Sequence, residues 1–205
     1  RVTAPLLFAQ HMLAVLRPGG MLATVMPHGV LFRTRGERDV RRGFVDDDCI
    51  EAVIGLAPNL FYGTGIPACI LVLRPVGSKP AEREDKVLFI NADRDYREGK
   101  AQNYLEPEHV EKIVSAFRAF EDVPGFARVV SRQELAENDD NLNVRRYVDT
   151  TPQPEPQDVR AHLHGGIPVR EVEAKADLFA AHGLKPEHLL VPKDEWYLQY
   201  ADVVA

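Results

Sequence analysis

The chain has 205 residues, of which 45% are hydrophobic and 27% are charged, and its formal net charge is −6. This length allows one substantial core and a small second unit. The negative net charge argues against a chain that binds nucleic acid by itself, although a partner protein could supply a positively charged surface. No apolar run approaches the roughly 20 residues of a membrane-spanning helix, and no signal-peptide pattern opens the chain. We therefore expect a cytoplasmic protein without a membrane partner.

The first elements alternate between helix and strand. Phe8, Met12 and Val15 recur at helical spacing and predict a helix over residues 4–16, and the apolar run at 21–26 has the length of a strand. Because the chain begins with Arg1 and enters this helical pattern almost at once, we interpret it as part of a longer protein.

Two nearly continuous apolar runs, at 50–56 and 68–73, predict strands that are covered on both faces. A helix at 35–45 precedes the first run, so the strand at 21–26 and the strand at 50–56 should be parallel. The last strand follows without a helix and should be antiparallel. The pattern predicts an α/β sheet whose last strand is reversed.

The rest of the chain predicts a short continuation of this domain and then a tail. A strand at 86–92, a helix at 107–120 and a strand at 126–130 are expected. Three prolines within 150–157 indicate a linker, which divides the chain into a domain at 1–149 and a helical C-terminal tail at 158–205. Within the tail, helices are expected at 159–164, 169–182 and 193–204. Cys49 and Cys69 are interpreted as buried thiols, so no metal site is expected.

The loop at 57–67, between the two apolar runs, is the strongest candidate for function, because side chains in such loops are displayed by a rigid sheet. Asn59 could bind a ligand or serve only as a turn residue. Its aromatic residues are Phe61 and Tyr62, and its loop-shaping residues are Gly63, Gly65 and Pro67.

Two further groups of residues are weaker candidates. Pro27 and His28 close the strand at 21–26, at the edge of the sheet where ligands bind, and His28 could face the site or be polar surface. A set of arginines around the second helix could contact DNA phosphates or a partner subunit, or pair locally with acidic neighbours. These arginines are Arg33, Arg35, Arg38, Arg41 and Arg42.

Residues 18–32 and 51–71 resemble the modification subunit of type I restriction-modification systems, in the N-6 adenine DNA methylase family. Shorter segments at 86–92, 138–147 and 164–168 fit the same family, and the resemblance is firmest over 5–148. It implies that the sheet is the C-terminal half of a Rossmann-like methyltransferase that consumes S-adenosylmethionine.

The resemblance implies transfer of a methyl group from S-adenosylmethionine to the exocyclic nitrogen of an adenine flipped out of DNA. The resemblance implies that the flipped adenine rests against an aromatic side chain of the loop at 57–67. Phe61 is the first candidate for this role, and Tyr62 is the second. The glycine-rich cofactor loop and the Asn/Asp-Pro-Pro-Phe/Tyr tetrad of the family do not occur in this sequence. No catalytic residue is therefore assigned, and the isolated chain is expected to be inactive.

The resemblance also implies partners: DNA, the DNA-specificity subunit, a second methylase subunit and the restriction subunit. The tail at 158–205 would dock on the specificity subunit. Two alternatives remain, a non-catalytic assembly module and an unrelated α/β enzyme that binds a nucleotide at 57–67. The missing phosphate loop and the lack of a nucleophile with its base weaken the second alternative.

Overall fold

The structure, a computed structural model, describes residues 4–34, 36–149 and 158–201. The chain divides into two compact units, at residues 1–151 and 152–205. The expected linker at 150–157 and Arg35 lie outside the described residues. No helix in the described ranges is long and apolar enough to cross a membrane.

The first unit contains the elements expected from the sequence, with small shifts at their ends. Its helices are α1 (Ala4–Ala14), α2 (Gly36–Asp46), α3 (Pro107–Ala119) and α4 (Arg132–Glu137). Its strands are β1 (Leu22–Pro27), β2 (Ile50–Leu56), β3 (Ala68–Leu73), β4 (Lys86–Ala92) and β5 (Ala127–Ser131). A 3-10 turn at Val144–Arg146 follows α4.

The five strands form one mixed sheet in the order β1-β3-β2-β4-β5. Strand β3 is antiparallel to both β1 and β2, as expected for a strand that follows without a helix. Strands β1 and β2 run in the same direction, but they are not neighbours, because β3 lies between them. Strand β4 is parallel to β2, and β5 is antiparallel to β4. The sheet is therefore mostly antiparallel.

Helices cover both faces of the central strands, which explains why the sequences of β2 and β3 do not alternate. All seven residues of β2 are buried. Leu6 of α1 and Phe44 of α2 pack with Val53 on one face, and Ile113 of α3 packs with Ile54 on the other. Pro107 starts α3, as the sequence predicts, and Phe120 ends the helix in the left-handed conformation.

Both cysteines are free and buried, which confirms their interpretation as core thiols. Burial raises the pKa of Cys49 to about 11, with the carboxylates of Asp47 and Asp48 adding to the effect, and it raises the pKa of Cys69 to about 12. Both thiols are therefore uncharged at neutral pH. No group of side chains in the described ranges is arranged to hold a metal ion.

A buried arginine of α2 joins three separate segments of the first unit. The guanidinium of Arg41 donates hydrogen bonds to the carbonyl oxygens of Val30 (3.1 Å), Arg33 and Asp140 (3.3 Å). Arg41 is only 3% exposed. These bonds fix the chain after β1 against the loop after α4, since each carbonyl is satisfied by the same side chain.

We expect Arg41→Lys to lower the free energy of unfolding by about 1–3 kcal/mol, because one ammonium cannot satisfy three carbonyls that lie in different directions. Urea unfolding followed by circular dichroism measures the change. Arg42→Lys is the matched control, since the Arg42 side chain is 61% exposed and makes a single ion pair with Asp140. Equal stability of the two variants would contradict this role for Arg41.

The second unit contains the helices expected at 159–164 and, in two pieces, at 169–182, but it is not wholly helical as the sequence predicts. It contains short helices α5 (Val159–His164), α6 (Val169–Glu173) and α7 (Ala176–Ala181), and strands β6 (Ile167–Pro168), β7 (Leu190–Pro192) and β8 (Tyr197–Tyr200). The three strands form an antiparallel sheet in the order β6-β8-β7.

The prediction of a helix at 193–204 is wrong over its described part, because residues 192–197 form a hairpin turn. The Asp194 carboxylate accepts hydrogen bonds from the amides of Trp196 (2.9 Å) and Tyr197 (3.0 Å), and the amide of Lys193 bonds to the carbonyl of Tyr197. An Asp whose carboxylate accepts hydrogen bonds from amides two and three residues later favours a turn over a helix interior. Residues 202–204 of the predicted helix lie outside the described residues.

Candidate functional site

Strands β1, β2 and β4 share a direction, so their carboxyl ends lie on the same side of the sheet, which we call the carboxyl edge. Three segments start from it: the chain after β1, the loop at 57–67 and the chain after β4. In α/β sheets, ligands bind outside the carboxyl ends of the strands. The residues that the sequence singles out for function therefore gather where a site is expected.

The loop at 57–67 is a compact turn rather than an open connection. Phe61 and Thr64 pair as an isolated bridge, with the Thr64 amide 3.3 Å from the Phe61 carbonyl oxygen. Gly63 has a φ of 75°, which requires glycine, whereas Gly65 needs no such freedom and has open space around it. Asn59 has a φ of 57°, the left-handed backbone of a turn residue, which is the second of the two roles that the sequence allows.

An apolar pocket of about 320 Å³ lies between this loop and the end of β1. Small-molecule pockets measure about 300–1,000 Å³, so this one is large enough for a compact ring system. Phe61 is 42% exposed and forms part of the wall, whereas Tyr62 is 93% exposed and does not line the pocket. The lining residues are Val25, Met26, Pro27, Phe61, Thr64, Ile66, Pro67 and Ala68.

His28 adjoins this pocket through its backbone, since its amide donates to the Pro67 carbonyl oxygen at 3.3 Å. Its ring packs edge-on against Phe32 at 5.7 Å between centroids. Burial lowers the pKa of His28, the nearby Arg145 guanidinium lowers it further, and the Asp93 carboxylate opposes both. A neutral imidazole therefore lies at the carboxyl edge.

The structure adds two residues that the sequence did not single out. Arg145 donates two hydrogen bonds to one carboxylate oxygen of Asp93, from Nε at 3.1 Å and Nη2 at 2.8 Å. Asp93 follows β4, and Arg145 lies in the 3-10 turn, where its own amide donates to the side-chain oxygen of Asn143. The only sequence signal for Arg145 is its place in the segment at 138–147 that carries the resemblance.

The arginines around α2 have acidic partners in the structure. Arg38 pairs with Asp139 (2.7 Å), Arg42 with Asp140 (3.3 Å) and Arg33 with Glu37 (3.9 Å), whereas Arg35 lies outside the described residues. The expectation that Arg41 faces DNA or a partner is wrong, because this side chain is buried and donates to backbone carbonyl oxygens. Of the pairs made by the other arginines, only Arg33–Glu37 is the local pairing that the sequence allows, since Arg38 and Asp139 lie 101 positions apart. A contact between these side chains and DNA or a subunit stays a prediction, and it would have to compete with these pairs.

The fold and the site define the class of protein. It is an α/β protein with an apolar pocket of ligand size and an exposed aromatic loop at the carboxyl edge of its sheet. The family model described as N-6 DNA Methylase matches residues 1–156. The chain belongs to the N-6 DNA methylase family. This confirms the resemblance on which the expectations for the loop at 57–67 depend.

Curated relatives are methylase subunits of type I restriction enzymes. The MjaVIII methylase subunit of Methanocaldococcus jannaschii is 46% identical over 138 residues, which are 66% of this chain and 23% of that protein. The MpnII methylase subunit of Mycoplasma pneumoniae is 34% identical over 161 residues, which are 78% of this chain and 29% of that protein. The chain thus spans about a quarter of the length of these relatives.

Solved structures give the same result. The type I restriction-modification methyltransferase subunit from Streptococcus thermophilus has a TM-score of 0.67 at 38% identity, and the match covers 72% of this chain and 31% of that one. The EcoKI M protein has a TM-score of 0.58 at 19% identity, and the match covers 90% of this chain and 45% of that one. At this identity the likeness shows the fold alone.

Proposed function

We propose that this chain is the target-base side of a site-specific adenine DNA methyltransferase, the modification subunit of a type I restriction-modification system. The enzyme would transfer a methyl group from S-adenosylmethionine to the exocyclic nitrogen of an adenine flipped out of the duplex. The observation that carries this proposal is the placement of Phe61, in a chain of the N-6 DNA methylase family, on the wall of an apolar pocket at the carboxyl edge.

The proposed role of Phe61 follows from the energetics of base flipping. Extruding a base costs a few kcal/mol of lost stacking and pairing. Stacking of the flipped base on an aromatic side chain returns about 1–3 kcal/mol. Phe61 has a partly exposed ring, and the backbone bridge to Thr64 fixes the main chain that carries this ring before the base arrives.

The residues of this chain do not fit S-adenosylmethionine, although the family implies this cofactor. Gly63 and Gly65 lead into strand β3, whereas the cofactor loop of a Rossmann-like protein opens a helix. The catalytic tetrad is also missing from the sequence. We therefore assign cofactor binding and the chemical step to parts of the methylase outside these 205 residues, and we expect the isolated chain to be inactive.

The free side of β1 supports the view that this sheet is half of a Rossmann-like one. Strand β1 lies at the end of the sheet, and no described strand pairs with its outer edge. Val25 of β1 is 52% exposed, and Leu7 and Phe8 of the neighbouring helix α1 are 50% and 64% exposed. A helix with apolar residues on all sides is normally buried. We propose that the cofactor-binding half of the methylase covers this side.

The surface of the second unit favours subunit docking and keeps the assembly-module alternative open. Leu163, Trp196 and Tyr200 are 73%, 64% and 73% exposed. Exposed aromatic residues are frequent anchors of protein interfaces. We propose that residues 158–201 dock on the DNA-specificity subunit, within an assembly that also holds a second methylase subunit, the restriction subunit and DNA.

The proposal predicts the product of the reaction. The methylase that carries this chain, assembled with its partner subunits, should transfer a labelled methyl group from S-adenosylmethionine to DNA, and mass spectrometry of the digested DNA should find N6-methyladenine. A reaction without S-adenosylmethionine is the control. Methylation of cytosine, or binding of the specificity subunit without any methyl transfer, would overturn the proposal, and the second result would favour the assembly module.

A further inference from the structure

A short hairpin follows β4 at the carboxyl edge. Arg97 and Tyr104 pair through two backbone hydrogen bonds, with N–O distances of 2.8 and 2.9 Å. The Arg97 guanidinium stacks 4.7 Å above the ring of Tyr104 and also pairs with Glu106. A Cβ at Gly99 would lie 2.4 Å from the carbonyl oxygen of Gln102, so the tight tip of the hairpin depends on this glycine.

Asn103 fastens this hairpin to the loop at 57–67. Its amide donates to the Asn59 carbonyl oxygen at 2.7 Å, and its side-chain Nδ2 donates to the Pro58 carbonyl oxygen at 2.9 Å. Asn103 is only 8% exposed, so water competes little for these bonds. The hairpin and the loop that presents Phe61 therefore form one connected surface.

Most cations of the first unit are paired. Within residues 4–34 and 36–149, most Lys and Arg side chains have a carboxylate or another polar acceptor, including Arg97 and Arg145. The side chains without such a partner among the described residues are Arg17, Arg94, Lys100 and Arg118, all of them exposed. Arg94 lies between β4 and the hairpin, and Lys100 lies within the hairpin, whereas the other two lie at the opposite edge of the sheet.

The positions of Arg17 and Arg118 make them a comparison pair. Arg17 precedes β1, and the carbonyl oxygen of Arg118 accepts a hydrogen bond from Arg83, which precedes β4. Both therefore lie at the amino edge. A charge left unpaired beside a site contributes to binding without first breaking an internal ion pair, which distinguishes Arg94 and Lys100 from the arginines of α2.

We propose that Arg94 and Lys100 contact the phosphates of the DNA strand beside the flipped nucleotide, with Asn103 holding their hairpin in register with the loop of Phe61. This inference rests on the proposed function. An exposed, unpaired ammonium or guanidinium is suited to a phosphate, and such contacts set the register of a protein on the duplex without reading its sequence. A chain of net charge −6 needs such cations at the place where DNA approaches.

The test is the salt dependence of DNA binding by the assembled methylase. Fluorescence anisotropy of a labelled duplex, titrated at several salt concentrations, gives the slope of log K against log salt. Each phosphate contact contributes about 0.9 to this slope. The double variant R94Q/K100Q should reduce its magnitude by about 1.8, and Lys100→Gln alone by about 0.9. The matched control R17Q/R118Q removes the same charge from the opposite edge and should leave the slope unchanged.

The outcomes separate this inference from the proposed function. A slope for R94Q/K100Q equal to that of wild type, in protein with an unchanged melting temperature, overturns the phosphate contacts while methylation continues. An equal loss of slope in both double variants also overturns them, because it reports net charge alone. Wild-type protein that neither binds nor methylates DNA contradicts the proposed function instead. If the double variant does not assemble, Lys100→Gln alone provides the test, because it changes only one exposed side chain. An unchanged slope in this variant overturns the contact of Lys100.

Discussion

Replacing Glu51 by Gln is expected to lower the free energy of unfolding of the first unit by about 3–5 kcal/mol. Glu51 is fully buried on β2, and its two carboxylate oxygens pair with Nε of Arg74 (2.5 Å) and Nη1 of Arg83 (2.8 Å). The variant keeps the shape of the side chain but leaves two poorly hydrated guanidinium groups without their shared counter-charge. Breaking a buried ion pair in this way costs more than the pair contributes when it is intact.

Urea unfolding of the 205-residue chain, followed by far-UV circular dichroism, measures this loss. Glu84→Gln is the matched control, since Glu84 is exposed and its side chain has no partner among the described residues. Trp196, the single tryptophan, lies in the second unit, so its fluorescence should report an unchanged transition there. A loss below 1 kcal/mol for Glu51→Gln would show that the arginines find other partners.

Phe61→Ala is expected to lower kcat/KM for DNA methylation by about 5- to 150-fold, because it removes stacking worth about 1–3 kcal/mol from the flipped base. Phe61 is 42% exposed, so its loss should change stability little. The rate of methyl transfer to a duplex with one target site, measured with the assembled methylase, gives the effect.

Two variants control this experiment. Tyr62→Ala should have the smaller effect, because Tyr62 does not line the pocket. Val76→Ala removes an exposed apolar side chain from the turn after β3, at the opposite edge, and should have none. Rates within twofold of wild type for both aromatic variants would remove the loop at 57–67 from the base site.

Strand existence was predictable from the sequence, but strand order was not. The apolar runs of β2 and β3 predict burial on both faces, and the helix-free loop between them predicts reversal of β3. Burial does not say which strand is the neighbour, and β1 pairs with β3 from the far side. Strand β8 was missed for a related reason, since its pairing with β6 joins Ile167 to Leu198, about 30 positions away.

The part of the candidate site formed by one short segment was predictable from the sequence, whereas the contacts between distant segments were not. Glycines and prolines in sequence mark the loop of Phe61 and Tyr62 as a displayed turn. The pairing of Arg145 with Asp93 joins residues 52 positions apart, and the bond from Asn103 to Pro58 joins residues 45 positions apart. No local pattern reports such contacts, because folding of the sheet brings these residues to one edge.

The most direct test of the central claim uses DNA whose target adenine is replaced by 2-aminopurine, a base that fluoresces when it is unstacked. Binding of the assembled methylase should raise the fluorescence, and Phe61→Ala should raise it further, because the flipped base then loses its aromatic partner. Identical fluorescence for wild-type and Phe61→Ala complexes would contradict the account, since the base would not rest on this loop.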